Sequence, residues 1–172
     1  YKTANSELEK LTDWFRANQL TLNTSKTKYI LFRDKKMHVD FSDLSLKIDN
    51  DNIDRIGEDC KEKCFKFVGL HLDEFLTWNH HAKYVCGKAA STVYSLSKLK
   101  NLLPKRIKYT VYNSLFRSYI EFGISCWGGA QNSFIDRISV LQKRAIRYID
   151  NLKYNSHTGA SFVKFKILKF KD

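Results

Sequence analysis

The 172-residue chain has little of what breaks or cross-links a fold: one proline, seven glycines and four cysteines. With hydrophobic residues at 43% and aromatics at 14%, that scarcity excludes a disordered or low-complexity polypeptide. Its apolar stretches are short and interrupted by Lys or Arg, so no segment is expected to cross a membrane. The cysteines (Cys60, Cys64, Cys86, Cys126) accompany no secretory leader and fit a reducing compartment better than a disulfide framework. The chain opens on Tyr1-Lys2-Thr3-Ala4, neither an initiator Met nor a signal peptide, and stops while an apolar pattern is running (Ile167, Leu168, Phe170), so it reads as a fragment. Acidic residues are scarce in one part only. Residues 1–82 carry 13 Lys+Arg against 14 Asp+Glu, residues 83–172 carry 17 against 4, and the resulting −1 and +13 make up the net +12. A surface of that sign attracts a polyanion, of which the phosphate backbone is the commonest, with solvated lysines as the alternative.

Ser6-Glu7-Leu8-Glu9 has the form of a capping box, and Leu8, Leu11, Trp14 and Phe15 then recur as one helical stripe, with Asn18 suited to a left-handed exit. Leu20-Thr21-Leu22 alternates as a strand, Asn23-Thr24-Ser25 turns, and residues 26–32 form a second strand. In the polar stretch 34–64, Leu44, Leu46 and Ile48 alternate, Asn50-Asp51-Asn52 turns, and Ile53 and Ile56 lie on the return. Phe65-Lys66-Phe67-Val68-Gly69-Leu70-His71-Leu72-Asp73 is expected to be a hairpin turning at Gly69.

Beyond it the apolar period lengthens from two to about three and a half, with Thr77 as a helix cap. One seam joins Ala82, Val85, Cys86, Ala89, Val93, Leu96 and Leu99. A second starts at Pro104 and joins Ile107, Val111, Leu115, Tyr119 and Phe122, ending at Gly123. Trp127-Gly128-Gly129 is a loop with an aromatic anchor. A third helix from Ser133 turns Ile138, Leu141, Ala145 and Ile149 inward and Lys143, Arg144 and Arg147 outward. Three such helices on short loops can form a bundle. His81 and Cys86 have the spacing of a zinc knuckle, but Cys60 and Cys64 have the wrong spacing to complete it, which leaves free thiols as the expectation.

In this order the residues resemble the reverse transcriptase of non-LTR (LINE-type) retrotransposons, particularly jockey-like elements, downstream of the polymerase catalytic box. The carriers are Leu8-x2-Leu11-x2-Trp14-Phe15-x2-Asn18-x-Leu20-x-Leu22-Asn23-x2-Lys26-Thr27, Phe67-Val68-Gly69-Leu70-x-Leu72-Asp73 and Leu76-Thr77-Trp78-x2-His81. They continue with Tyr112-x-Ser114, Phe122-Gly123-x2-Cys126-Trp127-Gly128 and Leu141-Gln142-Lys143-Arg144-Ala145-Ile146-Arg147. Each pattern is weak and their order is specific. Ala82 and Phe122 depart from the family, which usually has a larger aliphatic residue and a tyrosine there.

The resemblance implies an α+β fold. Residues 1–75 would be the C-terminal edge of a polymerase palm, a helix and a small antiparallel sheet, with Phe67, Val68, Gly69 and Leu70 as a primer-grip-like hairpin. Residues 76–172 would be an all-helical thumb, truncated at its end. The implied function is that of part of an RNA-directed DNA polymerase, a nucleotidyltransferase, holding the duplex of RNA template and DNA primer during target-primed reverse transcription. Its partners would include the upstream palm and fingers of the same polypeptide, inside the cell in nucleus and cytoplasm and without a membrane. The chain has no Tyr-x-Asp-Asp box, so the Mg²⁺ of the parent polymerase is not expected to bind here and the chain alone is expected to be inactive. Asp49 and Asp51 are the nearest pair and read as a solvated hairpin tip. Lys26 matches the family lysine near the incoming nucleotide, a candidate general acid, with an exposed turn lysine as the alternative. Phosphate contact is expected from Lys105, Lys108, Lys143, Arg144 and Arg147. His80 and His81 read as a first-turn polar pair, with phosphate contact as the lesser alternative. The reading from another class is a stand-alone basic nucleic-acid-binding module without enzymatic activity.

Overall fold

A computed structural model of the chain describes residues 1–41, 44–49 and 51–171. It is mixed helix and small sheets, consistent with the α+β class, in two compact units, Tyr1–Thr77 and Trp78–Asp172.

The first unit opens with helix α1 (Lys2–Ala17). The helix starts at Lys2, four residues before the expected capping box, and Ser6 and Glu9 lie inside it. Nothing in Lys2-Thr3-Ala4 opposes a helix, and the first turn is tied down by Asn5, which donates from Nδ2 to the Ser45 carbonyl (3.1 Å) and accepts from the Lys47 amide (3.0 Å). The predicted stripe is half realised: Thr12 is buried between half-buried Leu8 and Phe15, while Leu11 and Trp14 stay 45% and 55% exposed. Asn18 does not take the left-handed exit. Its amide side chain donates to the Trp14 carbonyl, and Gln19 adopts φ 55° instead.

Residues 20–22 form no strand, because no neighbouring strand pairs with them. A 3₁₀ turn (Thr24–Lys26) follows, capped by Asn23 Oδ1 on the Lys26 amide. The strands are β1 (Lys28–Ile30), β2 (Lys47–Ile48), β3 (Asp51–Asn52), β4 (Asp54–Ile56), β5 (Phe65–Phe67) and β6 (Leu70–Leu72). They make three two-stranded ladders, not one antiparallel sheet: β2 and β3 are antiparallel, β5 and β6 are antiparallel, and β1 runs parallel to β4 with Lys28 opposite Asp54. Asp51 and Asn52, expected in the turn, pair as β3, while Asn50 lies outside the described residues. The parallel pair follows because the short β2–β3 hairpin is consumed within the crossover that returns the chain to β1. Ile48, Ile53 and Ile56 are the apolar core of this unit.

Beside them sits a buried charge. Glu74 is 1% exposed and accepts from Arg33 Nη2 and Arg55 Nη1 (3.2 Å each) and from the Glu58 amide (3.3 Å). Arg55 also lies 3.6 Å above the Phe41 ring and pairs with Asp59, whose carboxyl is held below its ordinary pKa chiefly by that hydrogen bond. Gly57 leaves room for this pair, since a Cβ would meet Arg55 Nη1 at 2.5 Å and Glu74 Oε2 at 2.8 Å and force the ion pair to shift.

The hairpin predicted over 65–73 forms as expected, with Phe65 opposite Leu72 and Phe67 opposite Leu70. Both turn residues are left-handed, Val68 at φ 46° and Gly69 at φ 90°, as a two-residue turn between twisted strands demands. Thr77 is not the helix cap. Its amide and hydroxyl both donate to the Asp73 carboxylate, and Trp78, at φ 61°, precedes the helix.

The second unit contains α2 (Asn79–Leu99), α3 (Lys105–Val111), a π-helical segment (Tyr112–Arg117), α4 (Ser118–Glu121), α5 (Ile124–Trp127), α6 (Asn132–Asp150) and α7 (Gly159–Lys164). The seams of α2 and α6 are buried as read except for half-buried Leu99, and the two helices pack on each other, with His81, Thr92, Gln142 and Ile146 added. The middle seam is wrong by one position. Lys108, Tyr112, Phe116 and Ile120 face the core, whereas Ile107, Leu115 and Phe122 are exposed. Trp127 ends α5 and is fully buried, donating from Nε1 to the Phe122 carbonyl (2.9 Å). After α7 the chain returns as a strap, residues 165–171, in which Ile167 is buried and Phe170 stacks on Trp127.

Candidate nucleic-acid interface

The basic excess of the second unit is only partly spent inside the protein. Glu121 pairs with Arg117, Asp136 with Lys171, and Asp150 with both Lys105 and Lys164. Asp150 also accepts from Ser161 Oγ (2.8 Å). Burial opposes its charge, but these three donors outweigh it and hold the carboxyl far below the usual carboxylate range. Asp172, the fourth carboxylate side chain, lies outside the described residues.

Of the five expected phosphate contacts, Lys143 and Arg144 are exposed on α6, on the face opposite Ile138, Leu141, Ala145 and Ile149. Arg147 shares that face but is half-buried and donates from Nε to the Ser156 carbonyl (2.9 Å). Lys105 is 48% exposed and engaged with Asp150. Lys108 is a correction. Its side chain is fully buried and its ammonium donates to the carbonyls of Lys100 (2.9 Å) and Tyr148 (3.0 Å) and to Asn151 Oδ1 (2.5 Å). It thus closes the C-terminal ends of α2 and α6, where backbone carbonyls lack helical partners and the dipole favours a cation. Burial lowers its pKa, the ammonium groups of Lys105 and Lys100 add to the effect, and Asp150 opposes it.

The sequence reading missed Arg137. It stands two turns before Arg144 on the same side of α6, a seven-residue spacing that was visible in the sequence. Among the described residues Arg137, Lys143 and Arg144 have no carboxylate partner. With Arg147 they span residues 137 to 147, about 15 Å of helix, or roughly four steps of a nucleic-acid strand at about 3.4 Å each.

The other candidates lie in the first unit. Lys26 is exposed at the end of the 3₁₀ turn, its backbone amide held by Asn23. Phe67 and Val68 are 58% and 76% exposed at the hairpin tip, with Leu70 half-buried. The left-handed conformation is costly for a β-branched residue such as Val68, on the order of 1–3 kcal/mol. His81 is buried and packs edge-on against Trp127 with ring centroids 5.5 Å apart, so the phosphate contact considered for it is closed.

The nearest carboxylate pair of the sequence is engaged within the protein. Asp49 pairs with Arg16, Asp51 accepts from Thr24 Oγ1, and no three His, Cys, Asp or Glu side chains gather as a metal site among the described residues. Cys86 donates weakly to the Phe134 carbonyl within the core, and burial raises its thiol pKa, as it does for Cys60 and Cys64. No helix among the described residues is long and apolar enough to cross a membrane.

Among curated proteins, the chain is similar to two from Drosophila melanogaster. One is the "probable RNA-directed DNA polymerase from transposon BS", 34% identical over 92 residues, or 52% of this chain and 10% of that protein. The other is the "RNA-directed DNA polymerase from mobile element jockey", 25% identical over 113 residues, or 64% of this chain and 12% of that protein. The relatives are therefore polymerases of transposable elements, as the sequence resemblance implied, and the chain spans only about a tenth of their length. No family model and no solved structure matches the chain.

Proposed function

We propose that this chain is part of an RNA-directed DNA polymerase of a mobile element, and that its helical unit holds the duplex of RNA template and DNA primer. The observation that carries this reading is the unpaired cationic face of α6, Arg137, Lys143 and Arg144, on a helix whose opposite face is core. Such a face neutralises phosphates without reading bases. On the same reading, residues 1–75 are the edge of a palm with the 65–73 hairpin against the primer end, and residues 76–172 are a thumb. Both act with an upstream palm and fingers during target-primed reverse transcription, within nucleus and cytoplasm. Mg²⁺ then belongs to aspartates outside this chain, which alone does not extend a primer. Lys26 donates a proton to the leaving pyrophosphate in the complete polymerase.

The test is duplex binding as a function of salt. Each neutralised phosphate contributes about 0.9 to the slope of log affinity against log salt, so a variant with Arg137, Lys143 and Arg144 changed to Gln loses about 2.7 units if all three make contact. The replaced residues are exposed, and circular dichroism checks that helicity is kept. Native helicity with an unchanged slope overturns the reading. Primer extension by the chain alone overturns the assignment of the chemistry elsewhere. For Lys26→Ala in the complete polymerase, a raised Michaelis constant with an unchanged maximal rate reduces Lys26 to a charge contact.

A further inference from the structure

A cleft of about 480 Å³ runs along the flank of α6 beneath the C-terminal strap, within the range of about 300–1,000 Å³ usual for small-ligand sites. Its cations are Lys143, Lys169 and Lys171. Among the described lining residues the carboxylate is Asp136, paired with Lys171 at 2.5 Å, and Lys169 is also engaged within the protein. The Asp136–Lys171 pair is more than half exposed on both sides, so Lys171 can exchange Asp136 for another anion at little cost. The half-buried ring of Phe170 adds aromatic surface to the same cleft, Val140 adds an aliphatic one, and the buried Phe162 closes its floor. Phe162 is 3% exposed, and Phe170 is braced by Trp127, with ring centroids 5.9 Å apart and planes 24° from parallel.

The strap wall is preformed. Gln142, 2% exposed, donates from Nε2 to the Leu168 carbonyl (3.0 Å) and accepts at Oε1 from the Phe170 amide (2.9 Å). Its second amide proton goes to the Tyr112 hydroxyl (3.0 Å), which fixes the amide from the core side. The wall therefore needs little ordering when a ligand enters. Ammonium groups at the rim and aromatic surface within are the two halves of nucleotide recognition: cations for the phosphate, ring faces for the base.

We infer that this cleft is a subsite for a nucleoside phosphate, taken as an unpaired nucleotide of a nucleic-acid strand. The inference rests on the nucleic-acid reading above and adds a single-stranded site, off the duplex face, that shares Lys143 with it. The occupant leaves as it came, because no group is transferred.

Calorimetric titration of the whole chain with adenosine 5′-monophosphate, adenosine and inorganic phosphate tests it. The monophosphate is expected to bind at least about tenfold tighter than either half, because only it meets both cations and ring surface. Changing Lys169 and Lys171 to Gln, neither of which lies on α6, is expected to weaken the monophosphate at least about tenfold. The same variant should lower the salt slope for a ten-residue oligothymidylate by about 1.4, at about 0.7 per single-strand contact. Binding to a 20-base-pair duplex should stay within about twofold of the parent chain. An oligonucleotide that binds more tightly than the monophosphate identifies a strand as the source, and the reverse order identifies a free nucleotide. Absence of monophosphate binding, or equal losses on oligonucleotide and duplex, overturns the subsite. The duplex face of α6 fails separately, through the salt slope of the Arg137, Lys143 and Arg144 variant.

Discussion

Replacing Lys108 with Met separates the surface role expected of it from the buried role the structure assigns. Met preserves the aliphatic stem and removes the ammonium, leaving the Lys100 and Tyr148 carbonyls and Asn151 Oδ1 without their donor. Three bonds from a charged donor are worth about 1.5–3 kcal/mol each in favourable cases, but taking the ammonium out of water costs several kcal/mol in return. The net loss expected is about 2–4 kcal/mol. With an m value near 2 kcal/mol/M, the urea midpoint of the helical signal falls by about 1–2 M. Duplex binding of the folded variant keeps its salt slope, since the ammonium does not reach solvent. A stability change below about 0.5 kcal/mol, or a slope reduced by about 0.9, would refute the buried role.

Three further outcomes follow from the same geometry. Glu74→Ala leaves the guanidinium groups of Arg33 and Arg55, 15% and 9% exposed, facing each other without their shared anion, and should destabilise the first unit by about 3–5 kcal/mol. Near-native urea stability of that variant would mean that water replaces the carboxylate. Burial raises the Tyr112 phenol to about 12, against the hydrogen bond from Gln142, which lowers it. The folded state therefore holds this proton more tightly than the unfolded chain, whose value is 10.0. Its contribution, about 2.7 kcal/mol for two pKa units, is present below pH 10 and is lost as pH rises through 12. Tyr112→Phe should flatten that part of the stability profile, and parallel profiles would disprove the assignment. Val68→Asn, at φ 46°, should stabilise the hairpin unit by about 1 kcal/mol, because Asn tolerates the left-handed region. A lower melting temperature would show that the Val68 side chain is held by contacts that offset its strain.

The sequence was most readable where local pattern and packing demand coincide. In α6, Ile138, Leu141, Ala145 and Ile149 are apolar, helically spaced and flanked by charge, so a single face can turn inward. The stretch 105–121 offers two interleaved stripes instead. Ile107, Val111 and Leu115 look like a core, yet Lys108, Tyr112, Phe116 and Ile120 form it. A lysine at the head of the second stripe hides it from any rule that counts apolar residues. What reverses the choice is tertiary: two helix ends converge on one point and need a donor. The start of α1 was missed for a related reason, since Asn5 is anchored by backbone forty residues away and no local cap is needed.

Charge counting treats every cation of the basic half alike, and the fold does not. Lys105 and Lys164 neutralise Asp150, Arg117 neutralises Glu121, and Lys100 and Lys108 donate to carbonyls at helix ends. Those groups hold the bundle together and are poorly placed to release counterions from a duplex. Of the cations that remain, Arg137, Lys143 and Arg144 gather on α6, whose two acids, Asp136 and Asp150, are engaged by Lys171 and by Lys105 and Lys164, while Lys83, Lys88, Lys98, Arg106, Lys153 and Lys166 are exposed elsewhere in the unit. The strap thus does more than cover the core. Through Lys171 it neutralises Asp136, an acid on the same helix as Arg137, Lys143 and Arg144. Changing Lys171 to Gln should leave the Asp136 charge uncompensated beside the α6 cations and weaken duplex binding modestly, up to about twofold, an effect on the scale of a screened surface charge. A larger loss would mean that Lys171 itself touches the duplex, placing the strap within the interface.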